Sequence, residues 1–379
     1  MRRNRVPSID PVSGIYQKFR GSAVRKSLVD LRRRLRDAAL RPVAFRSGAG
    51  AFEIVYRGPP ARHRRHRDEF INAPGRFLEI DGSTPASEVR RYRGDLRLET
   101  QTGLIWRAGR PIADSDDGFG TPKMPGMLRM WRATPRAVER CISFLHMNAA
   151  NYYHAMTFVL PRLALLEPAG IDAALPIIVP ASLARQPFFQ GVVATGYFGA
   201  RALVAVEDNE AVAATEVIVV RPEAAVRHAF DAVLDRLGVP EHPAGDRRLF
   251  VRRGKGAANK RFIRNEADLR KLLTRFGFDP IDPQELSFRD QIATFAQAAM
   301  VVSQHGAGLT NIIYRRCSPL HVIELFNPAV LQAGYQNIAG EFGFRYSPFL
   351  NLNSDGSWSG PSDADLPALE AFLARDLGA

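Results

Sequence analysis

Short apolar runs and helix-like amphipathic segments alternate through the C-terminal half of the chain. In chain order, predicted strands at 249–251, 278–282, 300–303 and 321–326 are separated by helical patterns over 265–276, over 286–299 and from residue 309 onward. Short strands that alternate with amphipathic helices are typical of a parallel sheet covered by helices on both faces. The pattern therefore predicts a doubly wound α/β domain.

The segment that begins at residue 171 shows the same alternation. Strands are predicted at 176–179, 202–206 and 217–220, and helices over 182–196 and 222–238. Residues 238–245 then contain two prolines and two glycines, a composition typical of a connecting segment. Two α/β halves joined by such a linker predict two doubly wound domains that face a cleft.

The first part of the chain follows different patterns. Leucines recur at helical spacing among the arginines of residues 1–42, which predicts a basic arm with a short amphipathic helix. Residues 43–60 and 76–107 alternate apolar and polar side chains, as the strands of hairpins do. The basic run RHRRHR at 62–67 lies between them and is interpreted as an exposed loop.

These patterns divide the chain into four predicted parts. They are a basic arm at 1–42, an N-terminal α/β domain at 43–238, a C-terminal α/β domain at 246–350 and a tail at 351–379. The tail contains a predicted helix at about 365–377, which we expect to pack back on the first domain.

The 379-residue chain carries a net charge of +13, mostly from arginine, so a partner of opposite charge is expected. Arginine binds phosphate in a bidentate fork, although the same bias also arises from genome composition. The arm could lie on an anionic membrane surface, or it could be a solvated terminal helix. The sequence contains no zinc finger, RNP-type aromatic motif or basic zipper, so nucleic acid is not an expected partner.

No targeting signal and no cysteine motif is recognisable in the sequence. No apolar run approaches the length of a membrane span, and no signal-peptide core follows the basic N-terminus. We therefore expect a cytoplasmic protein, with peripheral contact at the inner face of the membrane through residues 1–41 as one interpretation. Cys141 and Cys317 form no motif and are interpreted as free thiols, and no metal site is predicted.

A glycine turn connects the apolar run at 300–303 to the next helical pattern. Its sequence is Gln304-His305-Gly306-Ala307-Gly308. Such a turn lets the backbone approach a ligand and presents the first free N–H groups of a helix, which favours an anion, most often a phosphate. Arg252 and Arg253 end the first strand of the same half, and Glu324 lies on the next strand, where an acid can bind ribose hydroxyls. Together these residues predict a nucleotide site, whereas the turn alone also fits a tight connection without a ligand.

Two further segments carry candidate chemistry. A helix is predicted to begin with Asn151 as its cap, to hold His154 on its first turn and to kink at Pro161. The loop at 111–127 contains Asp114-Ser115-Asp116, a spacing by which some sugar-transfer enzymes hold a divalent metal on a nucleotide diphosphate. A structural histidine and a plain acidic loop remain open as alternatives.

In this order, the motifs resemble family 61 glycosyltransferases over residues 148–328. The residues that carry the resemblance are Asn151-Tyr152-Tyr153-His154 with Pro161-Arg162, Val251-Arg252-Arg253 followed by Arg264-Asn265-Glu266, Gly277-Phe278, Leu286-Ser287-Phe288 with Gln291, His305-Gly306-Ala307-Gly308-Leu309-Thr310-Asn311, and Glu324. The family includes enzymes that transfer N-acetylglucosamine or pentoses in eukaryotic secretory pathways, and many bacterial proteins of capsule or surface-polysaccharide gene clusters. The resemblance implies a GT-B architecture of two Rossmann-like domains, with the acceptor side at 43–238 and the nucleotide sugar bound mainly at 246–350. It also implies inversion at the anomeric carbon without a required metal.

The resemblance also implies roles for individual residues. Donor-binding residues would be Arg252, Arg253, His305, Gly306, Ala307, Gly308, Asn311 and Glu324. His154 would be the catalytic residue, and Asn151, Tyr153 and Arg162 would be acceptor-side or structural. The expected donor is a nucleoside-diphosphate sugar, with a UDP-sugar favoured, and the acceptor is a glycan or a lipid-linked glycan. No cofactor and no metal are expected.

One position departs from the family pattern. An acid usually lies four residues beyond the histidine of the first motif, and Phe158 occupies that position here. An inverting transfer needs a general base for the acceptor hydroxyl. His154 could serve, an acid such as Asp114, Asp116 or Glu167 could replace it, or turnover could have been lost.

Three other function classes are alternatives. A non-catalytic basic protein that binds nucleic acid or an anionic membrane would lose affinity steeply with salt. A metal-dependent transferase that uses Asp114 and Asp116 would be sensitive to chelators. An ester hydrolase is excluded, because the string nearest to the required elbow, at 356–360, has Trp358 where the serine must be.

Overall fold

The computed structural model describes residues 51–60, 62–112, 115, 134–208, 210–221, 226–253, 261–357 and 360–378. The predicted arm at 1–42 and the acidic residues Asp114 and Asp116 lie outside this part of the chain. None of the described helices is both long enough and apolar enough to cross a membrane.

Eleven strands are described before residue 238. They are β1 (Glu53–Arg57), β2 (Arg62–Glu69), β3 (Phe77–Thr84), β4 (Glu88–Glu99), β5 (Ile105–Arg107), β6 (Arg110–Pro111), β7 (Arg136–Ala137), β8 (Arg140–Ser143), β9 (Ile177–Pro180), β10 (Leu203–Val206) and β11 (Ala211–Arg221). Nine of them form one sheet in the order β10-β9-β8-β11-β4-β5-β6, with β1 against β4 and β7 against β11. Strands β8 to β11 pair in parallel, whereas β1, β4, β5 and β6 pair antiparallel with their neighbours.

The first sheet is thus mixed, and the prediction of a doubly wound N-terminal domain is wrong for the antiparallel part. The burial of the side chains explains why some strands pair in parallel and others antiparallel. Strand β9 is buried along its whole length, as parallel strands covered on both faces are. Strand β4 instead mixes buried and exposed positions, which suits an antiparallel strand with one solvated face.

The basic run at 62–67 is part of strand β2 and not the expected loop. Strand β2 pairs antiparallel with β3 along its whole length. Residues 63, 65, 67 and 69 are exposed, whereas Arg64, His66 and Asp68 are half-buried. Asp68 accepts a hydrogen bond of 2.6 Å from Gln336 Nε2, and the His66 ring lies against Gly340. The period of two was hidden in the sequence because both faces of the strand carry basic side chains.

The helix predicted from Asn151 begins there. The Asn151 side chain accepts a hydrogen bond of 3.0 Å from the Tyr153 N–H, which confirms its role as the cap. The helix starts as α1 (Tyr152–His154), continues as a π-helix (Ala155–Val159) and ends as a 3-10 helix (Leu160–Leu165). The other α-helices described are α2 (Ala181–Ala184), α3 (Pro187–Ala194), α4 (Arg227–Arg236), α5 (Glu266–Arg275), α6 (Phe288–Ala296), α7 (Gly334–Phe342) and α8 (Leu366–Leu377).

The C-terminal half confirms the predicted parallel sheet. Its strands are β12 (Arg247–Val251), β13 (Phe278–Ile281), β14 (Ala298–Gln304), β15 (His321–Phe326) and β16 (Arg345–Leu350). They lie in the order β13-β12-β14-β15-β16, and all neighbours are parallel. This is a doubly wound order in which the direction of winding reverses between β12 and β14. Ligands of such sheets bind at the carboxyl ends of the strands beside the reversal.

One continuous group of buried side chains extends through both halves. It includes Phe189 and Val192 of α3 together with Phe288 of α6, Tyr314 and Tyr335. Helix α3 packs directly on α6, and α4 packs on α7. The two halves are therefore joined by an apolar interface as well as by the linker.

The C-terminal helix α8 packs on the second half and not, as expected, on the first. Its Leu369, Phe372 and Leu373 are buried with Leu269 and Leu273 of α5. Arg275 of α5 also forms an ion pair of 2.8 Å with Glu370. The apolar face of α8 thereby covers the outer face of the C-terminal sheet.

Candidate active site

The glycine turn lies at the carboxyl end of β14, beside the point where the strand order reverses. A 3-10 helix (Ala307–Arg315) follows the turn in place of the predicted α-helix. Gly306, Ala307 and Gly308 are partly exposed, whereas the rest of this helix is buried. The backbone that a ligand could reach is thus confined to these three residues.

The two glycines allow the turn to lie close to the end of β12. A Cβ atom on Gly306 would be 2.9 Å from Arg253 Nη1. A Cβ atom on Gly308 would be 3.4 Å from the side chains of Val251 and Pro283. Because Gly306 and Gly308 have no side chain, Arg253 and the backbone of the turn can lie next to each other.

The two arginines predicted to bind the donor lie in different places. Arg253 donates a hydrogen bond of 2.9 Å from Nη1 to the carbonyl of His305, which places its guanidinium at the turn. Arg252 instead forms an ion pair of 2.8 Å with Glu266 at the start of α5. In this geometry Arg253 faces the predicted site, whereas Arg252 anchors a helix.

A third arginine, which the sequence predictions missed, lies beside Arg253. Burial lowers the pKa of the Arg253 guanidinium, and the nearby charge of Arg261 lowers it further. Arg261 is itself only 8% exposed, and burial lowers its pKa as well. Two partly desolvated guanidinium groups next to an accessible glycine turn form a site that favours an anion.

His305 is held from both sides at the carboxyl end of β14. Its Nδ1 lies 2.5 Å from Glu324 Oε1, and its Nε2 lies 3.3 Å from Gln332 Oε1. Its ring stacks on Phe326 with 5.3 Å between the ring centroids. These neighbouring side chains therefore fix the orientation of the His305 ring.

Glu324 does not have the predicted position for a ribose contact. Its side chain is fully buried, and its second carboxylate oxygen accepts a hydrogen bond from the Tyr346 hydroxyl. Burial, followed by the charge of Glu324, raises the pKa of Tyr346 well above its usual value, so the tyrosine stays a donor. Because both oxygens are already occupied, the geometry makes Glu324 a residue that orients His305.

Asn311 also lies away from any surface that a donor could reach. It is fully buried, and its Oδ1 accepts a hydrogen bond of 2.5 Å from the Tyr152 hydroxyl. Its Nδ2 donates to Gln291 Oε1 at 3.2 Å, and Tyr152 also lies 2.8 Å from the Tyr314 hydroxyl. The predicted donor contact of Asn311 is thus replaced by a buried polar network that joins α1 to the second half.

His154 lies on α1 beside a second histidine. The centroid of its ring is 5.3 Å from that of His146 and 5.6 Å from that of Phe158. Burial lowers the pKa of His154 to about 4, and burial, Arg162 and His154 together lower the pKa of His146 to about 2. Both imidazoles are therefore neutral near neutral pH.

Arg162 has a structural position. It is buried, and it donates hydrogen bonds to the carbonyl oxygens of Phe158, Ser143 and Leu145. These bonds fasten the end of the irregular helix to strand β8. Of the two roles left open for Arg162, the contacts support the structural one.

Aromatic rings connect His154 to the glycine turn. The Tyr153 ring lies 5.4 Å from that of His154 and 5.4 Å from that of Tyr335. The Tyr335 ring in turn lies 5.3 Å from that of His305. The structure thus brings together two motifs that are about 150 residues apart in sequence.

Residues 152–322 match the family model described as Glycosyltransferase 61. Over these residues the chain is similar to glycosyltransferase family 61. No curated protein matches the chain. The family implies glycosyltransferase activity, with a sugar donor and an acceptor as substrates.

The family 61 region covers less than half of the 379 residues, but it contains both motifs of the site. It begins at α1 and ends at the second residue of β15, so it includes the glycine turn, Arg253 and Arg261. Glu324, Tyr335 and the hairpin of β2 and β3 lie outside it. The assignment of these residues to the site therefore rests on the geometry alone.

Arg64 of that hairpin also reaches the site of the family 61 region. Its charge lowers the pKa of Tyr153, although burial has the larger effect and raises that pKa to about 12. No alternation of apolar and polar side chains along β2 predicts this placement, because both faces of the strand carry basic residues. His146 lies in the loop just after β8 and belongs to none of the motifs, so no sequence signal predicts its place in the site.

Proposed function

We propose that the protein is an inverting, metal-independent glycosyltransferase whose donor is a nucleoside-diphosphate sugar, with a UDP-sugar favoured. The proposal rests on one observation above the others. The partly exposed turn at Gly306–Gly308, with Arg253 and Arg261 beside it, lies at one end of a chain of aromatic rings that leads to His154. An anion site and a neutral imidazole thus belong to one continuous group of side chains.

The turn and the arginines would bind the diphosphate of the donor. Backbone N–H groups at the start of a helix favour negative charge, and Arg253 and Arg261 add two positive charges at the same place. The same groups would stabilise the diphosphate as it leaves, when its negative charge increases. His305, held by Glu324 and Gln332, fixes the carbonyl to which Arg253 donates.

His154 would serve as the general base. A neutral imidazole can accept the proton of the acceptor hydroxyl, and burial keeps the His154 imidazole neutral. The hydroxyl oxygen would then bond to the anomeric carbon while the bond from that carbon to the diphosphate oxygen breaks on the opposite face. The proton ends on His154 and the electron pair on the diphosphate, so the anomeric centre inverts.

The acceptor we propose is a glycan or a lipid-linked glycan, in the synthesis of a capsule or another cell-surface polysaccharide. A GT-B arrangement is supported by the parallel C-terminal sheet and by a site that takes residues from both halves. The N-terminal half would be a variant of it, because its sheet is mixed. We place the reaction in the cytoplasm, with the basic residues 1–41 in peripheral contact with the membrane, since their charge suits anionic lipid.

A donor screen with two matched variants tests the proposal. Thermal shift with UDP-, GDP-, CMP- and dTDP-sugars should show a rise in melting temperature with at least one donor, because a ligand that binds only the folded state stabilises it. Arg253→Met should weaken binding of that donor about tenfold or more, the cost of losing a charged hydrogen bond. Arg252→Met removes the neighbouring charge, which pairs with Glu266, and should leave donor affinity nearly unchanged.

Equal losses in the two variants would show that net charge, and not the geometry at the turn, attracts the donor. No stabilisation by any of the four donors in a chelator-treated sample would contradict the proposal. Binding to nucleic acid or anionic vesicles that falls steeply with salt would then support the alternative of a non-catalytic basic protein. That alternative depends on residues 1–41, which lie outside the described part of the chain.

A further inference from the structure

Three side chains with different metal-binding groups meet away from the proposed active site. Glu241 and His242 belong to the linker at 238–245, and Cys317 follows the 3-10 helix that starts at the glycine turn. One ligand atom of each side chain lies within 4.8 Å of those of the other two. Glu241 and His242 are exposed and Cys317 is half-buried, so an ion could reach all three from solvent.

The backbone around these side chains is already fixed. The Cys317 N–H donates a hydrogen bond of 3.1 Å to the Glu241 carbonyl. Ser318 Oγ and Arg315 Nη1 both donate to the Pro243 carbonyl, at 2.7 Å and 3.0 Å. The two segments are thus held in register without an ion, and binding would need only side-chain rotations.

The three groups match the ligands of a soft or borderline divalent ion. Zinc binds thiolate sulfur, imidazole nitrogen and carboxylate oxygen at about 2.0–2.3 Å, so tetrahedral ligand atoms are about 3.5 Å apart. The present spacing of up to 4.8 Å can close by rotation of Glu241 and His242, which are exposed. A thiolate among the ligands disfavours magnesium and calcium, which prefer oxygen.

Arg227 is the group that competes with an ion here. Its Nη2 lies 2.8 Å from Cys317 Sγ and donates a hydrogen bond to it. Its charge is offset by an ion pair of 2.9 Å with Asp231. The sulfur has further lone pairs, so it can accept this hydrogen bond and still bind a metal.

We propose that Glu241, His242 and Cys317 bind one divalent transition-metal ion, of which Zn²⁺ is the best match. Water would complete the coordination, because the structure brings three protein ligands together. The ion would fasten the linker to the end of the 3-10 helix whose other end forms the glycine turn. This site is separate from the residues proposed for sugar transfer and requires no metal in that reaction.

The test uses the full-length protein after treatment with a chelator and removal of the chelator. Calorimetric titration with ZnCl₂ should give one ion per chain for the parent protein. Cys317→Ser and His242→Ala should each lower the Zn²⁺ affinity about tenfold or more, because each removes one of three ligands. Cys141→Ala is the matched control, since Cys141 is the second cysteine and lies fully buried in a separate group of side chains.

A second measurement identifies the ligand. Co²⁺ in place of Zn²⁺ should show a thiolate-to-metal charge-transfer band in the parent protein and in Cys141→Ala, and no such band in Cys317→Ser. Zn²⁺ should also raise the melting temperature of the first two proteins and not of the third. The proposal is overturned if parent protein and Cys317→Ser bind Zn²⁺ equally, or if the parent protein binds none. Neither readout depends on sugar transfer.

Discussion

Individual residues at this site have functions that depend on their neighbours. Glu324 is an acid in the carboxyl-terminal half of β15, and acids at the carboxyl ends of strands bind ribose in other nucleotide folds. In this chain His305 and Tyr346 occupy its two oxygens, and neither partner could be assigned from sequence spacing. Phe158 replaces the acid of the family pattern, and its ring stacks on His146 with 5.7 Å between centroids. The aromatic side chain thus contributes to the apolar surroundings of His154.

The depressed pKa of His154 leads to a prediction about pH. Its pKa is about 4 instead of the ordinary 6.5, so the neutral, proton-accepting form persists well below pH 6.5. We expect kcat/KM of the parent protein to fall only as the pH approaches about 4, and turnover of His154→Ala to be lower by about two to four orders of magnitude. A steady-state pH profile with the donor found by screening measures both.

The same shift affects stability, and it must be separated from catalysis. Between pH 6.5 and about 4 the unfolded chain takes up a proton at His154 that the folded chain does not. Proton uptake by the unfolded chain lowers the free energy of unfolding. The contribution of His154 to that free energy is therefore complete above pH 6.5 and is lost as the pH falls toward 4. Circular dichroism at each pH therefore accompanies the profile. A fall in kcat/KM near pH 6.5, in a protein that is still folded, would show that the base is another group.

At the scale of elements, sequence patterns located most strands and helices of the C-terminal half. Apolar runs between amphipathic segments predict β12, β14 and β15, because buried parallel strands have few polar positions, whereas the edge strand β13 keeps Asp279 and Pro280 exposed. The same approach missed β2, whose inner face carries Arg64 and His66, and it assigned an α-helix where the 3-10 helix after Gly306 lies. Both errors arise because tertiary contacts determine these two segments, and a hydropathy pattern contains no information on such contacts.

The contact between α1 and the 3-10 helix rests on a buried polar network that can be tested. Tyr152 donates to Asn311 and also pairs with Tyr314, and burial raises the pKa of both tyrosines above the usual value. Tyr152→Phe should lower the free energy of unfolding by about 1–3 kcal/mol, because Asn311 then loses a buried partner. Tyr314→Phe should cost less, since the Tyr152 hydroxyl keeps Asn311.

A double-mutant cycle over these two tyrosines checks the network. The double variant should lose less than the sum of the single losses, because the two hydroxyls interact with each other. Urea unfolding of the four proteins measures the coupling free energy. Additive losses would show that the 2.8 Å contact between the hydroxyls contributes nothing to stability.

At the scale of the whole molecule, the sequence predicts two successive α/β halves and their linker, but not the apolar interface between them. Strand directions in the first half could not be derived, because the antiparallel partners β4 and β11 are more than 100 residues apart. The site was predicted in part. The glycine turn, Arg253 and His154 follow from local motifs, whereas Arg64, His146 and Arg261 depend on packing between distant segments.

The shared apolar interface leads to the last prediction. Gly191 of α3 lies against Phe288 of α6, and a Cβ atom there would overlap the phenylalanine side chain. Gly191→Ala should therefore destabilise the protein by about 1–3 kcal/mol, the usual cost of overpacking. Gly82→Ala is the control, because a Cβ atom at Gly82 would meet no atom within 4 Å. Since one buried group extends through both halves, calorimetry should show a single unfolding transition that moves to lower temperature in Gly191→Ala. Two separate transitions, of which only one moves, would instead show that the halves fold as independent domains.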